Sequence, residues 1–197
     1  MKILAISDVE SKSLYDYWAP EKVEGVELII SCGDLHVEYL EFLVTMMNVP
    51  LLYIHGNHDD YRREPEGCIC IDDGYFEYKG LRFIGLGGCV RYVRYKESKY
   101  MYTERQMRRR IRKMRFKLHR HHGFDVLVTH APARHLNDFD TVTHRGFECF
   151  NDLLDRYHPK LFCHGHIHRC YGANIPQKTE HNGTLVVNAS DYCIVEI

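Results

Sequence analysis

The feature that most narrows what this chain can fold into is a rhythm of seven apolar, β-branched-rich runs. They lie at 2–7, 26–31, 50–54, 81–87, 125–129, 160–164 and 184–188, and five of them end abruptly in clusters of Asp, Glu, Asn, Gly or His. Runs of this length and composition read as buried strands. Helical periodicity falls between several of them, at 36–47 (Leu40, Leu43, Val44, Met47), 103–119 (Met107, Ile111, Met114, Leu118) and 146–157 (Phe147, Phe150, Leu153, Leu154). Alternating strand and helix predicts an α/β fold with largely parallel inner strands, in which ligands gather beyond the strands' carboxyl ends. Shorter runs at 68–71, 75–79 and 192–196, with turn signals at Asp73-Gly74, Lys79-Gly80 and Asn182-Gly183, predict added antiparallel hairpins. With no repeat and no linker, residues 1–197 read as one domain, large enough to bury roughly 70% of the unfolded surface.

Composition excludes some functions. A formal net charge of -1 gives no global pull toward nucleic acid or anionic membrane, so any such pull must be local. No apolar run reaches membrane-spanning length, and Met1 leads straight into a strand, so a soluble, cytoplasmic protein without an export signal is expected. Of the eight cysteines, Cys32, Cys89, Cys163 and Cys193 sit in or beside apolar runs, which predicts reduced thiols. Cys68-Ile69-Cys70 has no second pair at zinc-ligand spacing.

Where the fourteen histidines fall is more informative than their number. The first run delivers Asp8 and Glu10, two positions apart and so on one face of an extended segment. Two carboxylates aimed at one point repel each other, and a cation is the natural compensation. The later runs end in Gly33-Asp34-Leu35-His36, His55-Gly56-Asn57-His58-Asp59, Thr129-His130 and His164-Gly165-His166-Ile167-His168. Parallel topology brings all five ends to one edge.

The ordered set D-x-E, G-D, G-N-H-D, T-H and G-H-x-H, spanning residues 8 to 168, resembles that of the calcineurin-like metallophosphoesterases. The resemblance implies a β-sandwich of mixed, partly parallel sheets flanked by helices, a four-layer αββα arrangement, around a dinuclear metal centre that hydrolyses a phosphoester. By that match Asp8, the position of Glu10 and His168 hold the first metal. Asn57, His130 and His166 hold the second, Asp34 bridges the two, and His58 protonates the leaving oxygen or stabilises the transition state. General chemistry agrees: two divalent ions can clamp a phosphoryl group and supply a hydroxide between them. Asp59 and His36 read either as partners orienting His58 or as turn and supporting hydrogen-bond residues.

Glu10 departs from the family, which most often has histidine there. It lowers the net charge of a two-ion site by one unit, which weakens acidification of bound water and favours Mn²⁺ or Fe²⁺, with Mg²⁺ or Zn²⁺ as the other candidates. Three readings follow: Glu10 binds the first metal directly, binds it through water, or leaves a weak site. His144 and Arg145, just ahead of the third helical pattern, read either as a substrate-anion site or as capping and surface charge. Residues 91–102 interleave Tyr with Arg and Lys, and a basic stretch follows over 108–122. That pattern reads as the solvated face of a helix ahead of a nucleic-acid surface. The expected activity is therefore a metal-dependent phosphohydrolase of a small phosphoester, diester ahead of monoester. A nuclease and a non-catalytic interaction module of the same fold, as in a retromer subunit, are the alternatives.

Overall fold

The computed structural model describes residues 1–59, 63–93, 99–172 and 175–197. Residues 94–98 of the tyrosine-arginine segment therefore lie outside the described residues. In chain order the strands are β1 (Lys2–Ser7), β2 (Leu28–Ser31), β3 (Leu51–Tyr53), β4 (Ile69–Cys70), β5 (Tyr75–Tyr78), β6 (Leu81–Leu86), β7 (Cys89–Val90), β8 (Met101–Tyr102), β9 (Val126–Thr129), β10 (Leu161–His164), β11 (Lys178–His181), β12 (Thr184–Asn188) and β13 (Asp191–Glu196). The helices are α1 (Val37–Met47), α2 (Glu104–Arg120) and α3 (Glu148–Tyr157).

Alternation along β1 shows how the layers arise. Ile3 and Ala5 point one way, into a core shared with Leu28, Ile30, Leu52, Phe83, Val126, Val128 and Cys163, which come from both sheets. Leu4 and Ile6 point the other way, against Tyr39, Leu40 and Leu43 of α1. Because both faces are covered, no polar residue interrupts the run. The first sheet has the order β13-β1-β2-β3-β4 and the second β11-β12-β10-β9-β6-β5. In the second, Ile84, Leu86, Leu127, Phe162 and Val186 face outward onto Met107, Met114 and Leu118 of α2 and Phe150, Leu153 and Leu154 of α3. Three apolar layers thus separate helix, sheet, sheet and helices, the four-layer αββα arrangement.

β1, β2 and β3 run parallel, as do β6, β9, β10 and β12. Antiparallel pairing is confined to the edges: β13 on β1, β5 on β6 through the Lys79-Gly80 turn, and β11 on β12 through Asn182-Gly183. The short run at 68–71 departs from the hairpin expectation. β4 pairs in parallel with β3, Leu52 opposite Ile69, and the chain then crosses at Asp73-Gly74 to the other sheet. α2 begins at a capping box, in which Thr103 and Gln106 satisfy each other's backbone N–H groups. No disulfide joins the eight cysteines. Among the described residues no helix is long and apolar enough to cross a membrane.

Candidate metal centre

The ends of β1, β2, β3, β9 and β10 meet at one edge of the sandwich. Asp8, Asp34 and His166 turn there with positive backbone φ angles of 64°, 58° and 67°. Asp and His tolerate this left-handed region better than most residues, and such conformations concentrate at functional sites, at roughly 1–3 kcal/mol each. Two glycines allow the loops to close. A Cβ on Gly56 would lie 2.0 Å from Asp34 Oδ1, and one on Gly165 would lie 2.0 Å from Ser7 Oγ and 2.9 Å from Asp8 Oδ2. Backbone amides then hold the carboxylates: the His166 N–H donates to Asp8 at 3.0 Å, and the His58 N–H donates to Asp34 Oδ1 at 2.8 Å. Asp59, buried, accepts from Gly56 N–H at 2.7 Å and Asp34 N–H at 3.0 Å. It fastens two strand-end loops together, and among the described residues it makes no contact with the His58 ring.

His130 is fully buried at the centre of the cluster. Its Nδ1 lies 2.8 Å from the Cys32 carbonyl, while Nε2 lies 3.0 Å from Asn57 Oδ1 and 3.3 Å from Asp34 Oδ2. Both ring nitrogens face acceptors, so without another cation the ring holds both protons. Burial works against that charge, but Asp34 overrides it and raises the His130 pKa to about 9. Burial likewise pushes Asp34 up, and His130 more than reverses it, to about 2. Asp8, 0% exposed at its side chain, is raised by burial.

His166 is buried, with Nε2 2.8 Å from the Thr143 carbonyl, which leaves Nδ1 as its free coordinating atom. Burial, followed by the charge on His130, lowers its pKa to about 3, so the ring is neutral and able to act as a ligand. His168 is partly exposed; its Nε2 lies 3.8 Å from Asp8 Oδ1 and its ring stacks on Tyr171.

Asp8, Asp34 and His130 offer ligand atoms that all lie within 4.8 Å of one another. The residues present suit a divalent cation: carboxylate, imidazole and amide oxygen converge, and among the described residues no Lys or Arg pairs with Asp8 or Asp34. Asn57 adds a further sign. Its Nδ2 is buried without a hydrogen-bond partner among the described residues, while Oδ1 points into the cluster. Leaving Nδ2 unpaired costs about 1–3 kcal/mol, which the contact of Oδ1 with the protonated His130 ring, or with a cation in place of that proton, offsets.

Other expected site residues stand differently. Glu10 Oε1 pairs with His36 Nδ1 at 2.6 Å and lies outside the three-residue group, so His36 holds Glu10 and not His58. His58 is exposed and lines, with Asp8, Glu10, Asp34 and Asp59, a cleft of about 1070 Å³. The His144 ring sits at the rim, 5.6 Å from that of His166, its Nδ1 3.0 Å from both Thr141 Oγ1 and Thr143 Oγ1. Arg145 is half-exposed and nearest to Asp140. The start of α3 has no donors to spare at Glu148 and Cys149, whose N–H groups bind the Glu104 carboxylate at 3.2 and 2.9 Å. The carbonyls of Cys32 and Thr143, which fix the His130 and His166 rings, carry no residue-type signal. Tyr171, three residues after His168, was detectable only as an aromatic near a ligand.

A family profile described as the calcineurin-like phosphoesterase superfamily domain matches residues 1–194. No curated protein matches the chain. One solved crystal structure superposes with a TM-score of 0.70 at 14% identity, covering 98% of this chain and 94% of its own. The crystal structure of TT1561 from Thermus thermophilus has a TM-score of 0.63 at 17% identity, covering 96% and 89%. A single mutant of Vps29 from Entamoeba histolytica reaches 0.50 at 10% identity, covering 100% and 86%. At these identities the superpositions speak for the fold alone.

Proposed function

The chain belongs to the calcineurin-like phosphoesterase superfamily, and from that premise we propose that it is a metal-dependent phosphohydrolase that prefers phosphodiesters. The observation that carries this reading is the convergence of Asp8, Asp34 and His130 within 4.8 Å beside an open cleft that also contains His58. Asp8, Glu10 and His168 would hold one divalent ion, Asn57, His130 and His166 a second, with Asp34 shared. Ions so held polarise phosphoryl oxygens and lower the pKa of water. The carboxylate-rich donor set favours Mn²⁺ or Fe²⁺ over Zn²⁺.

The protein's own groups do the rest. Asp34 is fixed by the His58 amide, so the strand end that shapes the metal cluster also places the His58 imidazole in the cleft. That ring is the group suited to donate a proton to the departing oxygen. Cleft electrostatics favour the diester. Asp8, Glu10, Asp34, Glu38 and Asp59 line the cleft, and its Arg63 is already held by both carboxylate oxygens of Glu41. Set against the +4 of two divalent ions, these five carboxylates still leave a net -1, so a dianionic monoester is repelled more strongly there than a monoanionic diester. His144, whose ring neighbours that of His166, and Arg145, the next residue, are proposed to contact the substrate.

The test compares release of p-nitrophenol from bis-p-nitrophenyl phosphate and p-nitrophenyl phosphate, with Mn²⁺, Fe²⁺, Mg²⁺ or Zn²⁺ added. Diester turnover with Mn²⁺ or Fe²⁺, lowered roughly 10²–10⁴-fold in His58→Ala, supports the reading. A strong monoester preference overturns the diester assignment. Silence on both substrates with every metal leaves the interaction-module reading in its place.

A further inference from the structure

The proposed chemistry makes no use of α2, which carries nine Lys or Arg residues among its seventeen while the whole chain has a net charge of -1. Two of the nine are matched. Arg110 turns inward to Asp72 and Asp73, and Arg108 pairs with Glu104 and Asp152. The other seven are exposed, and none has an acidic partner among the described residues. A helix bearing this much unmatched charge repels itself, and a bound polyanion relieves that repulsion.

The charge also has a shape to act through. Arg108, Arg112 and Arg115 fall on one flank of α2 at i, i+4 and i+7, and together with Arg156 and Tyr157 of α3 they border a groove of about 260 Å³. Its floor is apolar, from Ile111, Leu118 and Leu153. The Arg156 guanidinium lies 5.5 Å from the Tyr157 ring centroid. Guanidinium groups along the lip with an aromatic ring and an apolar floor suit phosphates outside and bases inside, as in single-strand binding grooves.

We propose that the α2–α3 groove is a binding surface for single-stranded nucleic acid, separate from the strand-end cluster. Alternative polyanions fit less well. An anionic membrane asks an amphipathic helix for a free apolar face, and that of α2, from Met107, Met114 and Leu118, is buried in the core. A duplex keeps its bases stacked and leaves the apolar floor unmet. An acidic peptide satisfies the arginines but has no planar group for Tyr157.

The test uses the full chain in EDTA, which keeps the strand intact, and follows the fluorescence anisotropy of a labelled 12-nucleotide oligouridylate or oligothymidylate. Three phosphate contacts, at Arg112, Arg115 and Arg156, give a log-log salt slope near -2, or roughly 20-fold weaker binding at 200 than at 50 mM salt. Arg112→Glu with Arg115→Glu should lose at least about 10-fold in affinity, and Lys12→Glu on the other side of the molecule should lose nothing. Tyr157→Ala should weaken binding several-fold with an unchanged salt slope. Circular dichroism checks that each variant is folded. Binding by either oligonucleotide supports the proposal, and their ratio shows whether the sugar matters. Equal affinity for the charge-reversed variant, tighter binding of a duplex, or equal competition by polyglutamate or phosphatidylserine vesicles overturns it.

Discussion

Arg110→Met removes the one arginine of α2 that the fold has turned inward. Its side chain is 11% exposed and that of Asp72 13% exposed. Arg110 donates to Asp72 Oδ1 at 2.7 Å, Asp73 Oδ1 at 2.8 Å and the Gly87 carbonyl at 2.7 Å, and lies 4.3 Å from the Tyr102 ring centroid. Asp72 in turn accepts from Gly87 N–H at 2.7 Å and faces His55 Nδ1 at 3.2 Å. The pair therefore ties α2 to the residue that opens the His55-Gly56-Asn57-His58 turn. Removing one member of a buried pair costs roughly 3–5 kcal/mol because the other charge is left without its partner. Methionine keeps some apolar packing and Asp72 keeps two other partners, so the low end applies, about 3 kcal/mol. For a chain of this size that is a fall in Tm of about 6–12 °C. Urea unfolding of wild type, Arg110→Met, Asp72→Asn and the double variant closes the cycle, with an expected coupling of at least about 1.5 kcal/mol. A loss below about 1 kcal/mol for Arg110→Met, or additive single effects, would refute the reasoning.

The same pair sets an acid limit. The Asp72 carboxyl is pushed up by burial but held below its ordinary 3.8 overall by His55 and Arg110, so its contribution is complete above pH 3.8 and is lost as pH falls through the lower native value. Urea midpoints between pH 5 and 2 should fall less in Asp72→Asn than in wild type. Gly56→Ala drives a methyl into Asp34 Oδ1 and should cut metal affinity at least about 10-fold. Gly183→Ala, with a φ of 83° and nothing within 4 Å, should cost about 1 kcal/mol of stability and leave metal affinity alone in the same titration. Glu104→Ala frees two α3 amides and should lower stability by about 1 kcal/mol in thermal unfolding.

What the sequence discloses follows from where side chains carry the information. Strands covered on both faces leave unbroken apolar runs, so β1, β2, β9 and β10 were legible, as were the residues at their ends. β11, by contrast, is the polar segment Lys178–His181 at a sheet edge, with no apolar run to signal it. The direction of β4 depends on a crossing between sheets that two paired residues do not encode. Helical periodicity in α2 sorted apolar from charged positions and so placed Arg110 with the solvated arginines. Its acidic partners are 37 and 38 residues away in the chain. Glu104, capping a helix 44 and 45 residues later, was hidden for the same reason. The His36–Glu10 contact bears on how firmly Glu10 holds a metal, and no motif contains both residues.

The most direct measurement is calorimetric titration of Mn²⁺ into chelator-stripped protein, wild type against Asp34→Asn. If Asp34 is the carboxylate shared by two ions, wild type should take up two Mn²⁺ per chain, and Asp34→Asn should lose at least about 10-fold in affinity at both positions. Absence of Mn²⁺ uptake by wild type, or uptake unchanged in Asp34→Asn, would contradict a metal centre at these strand ends.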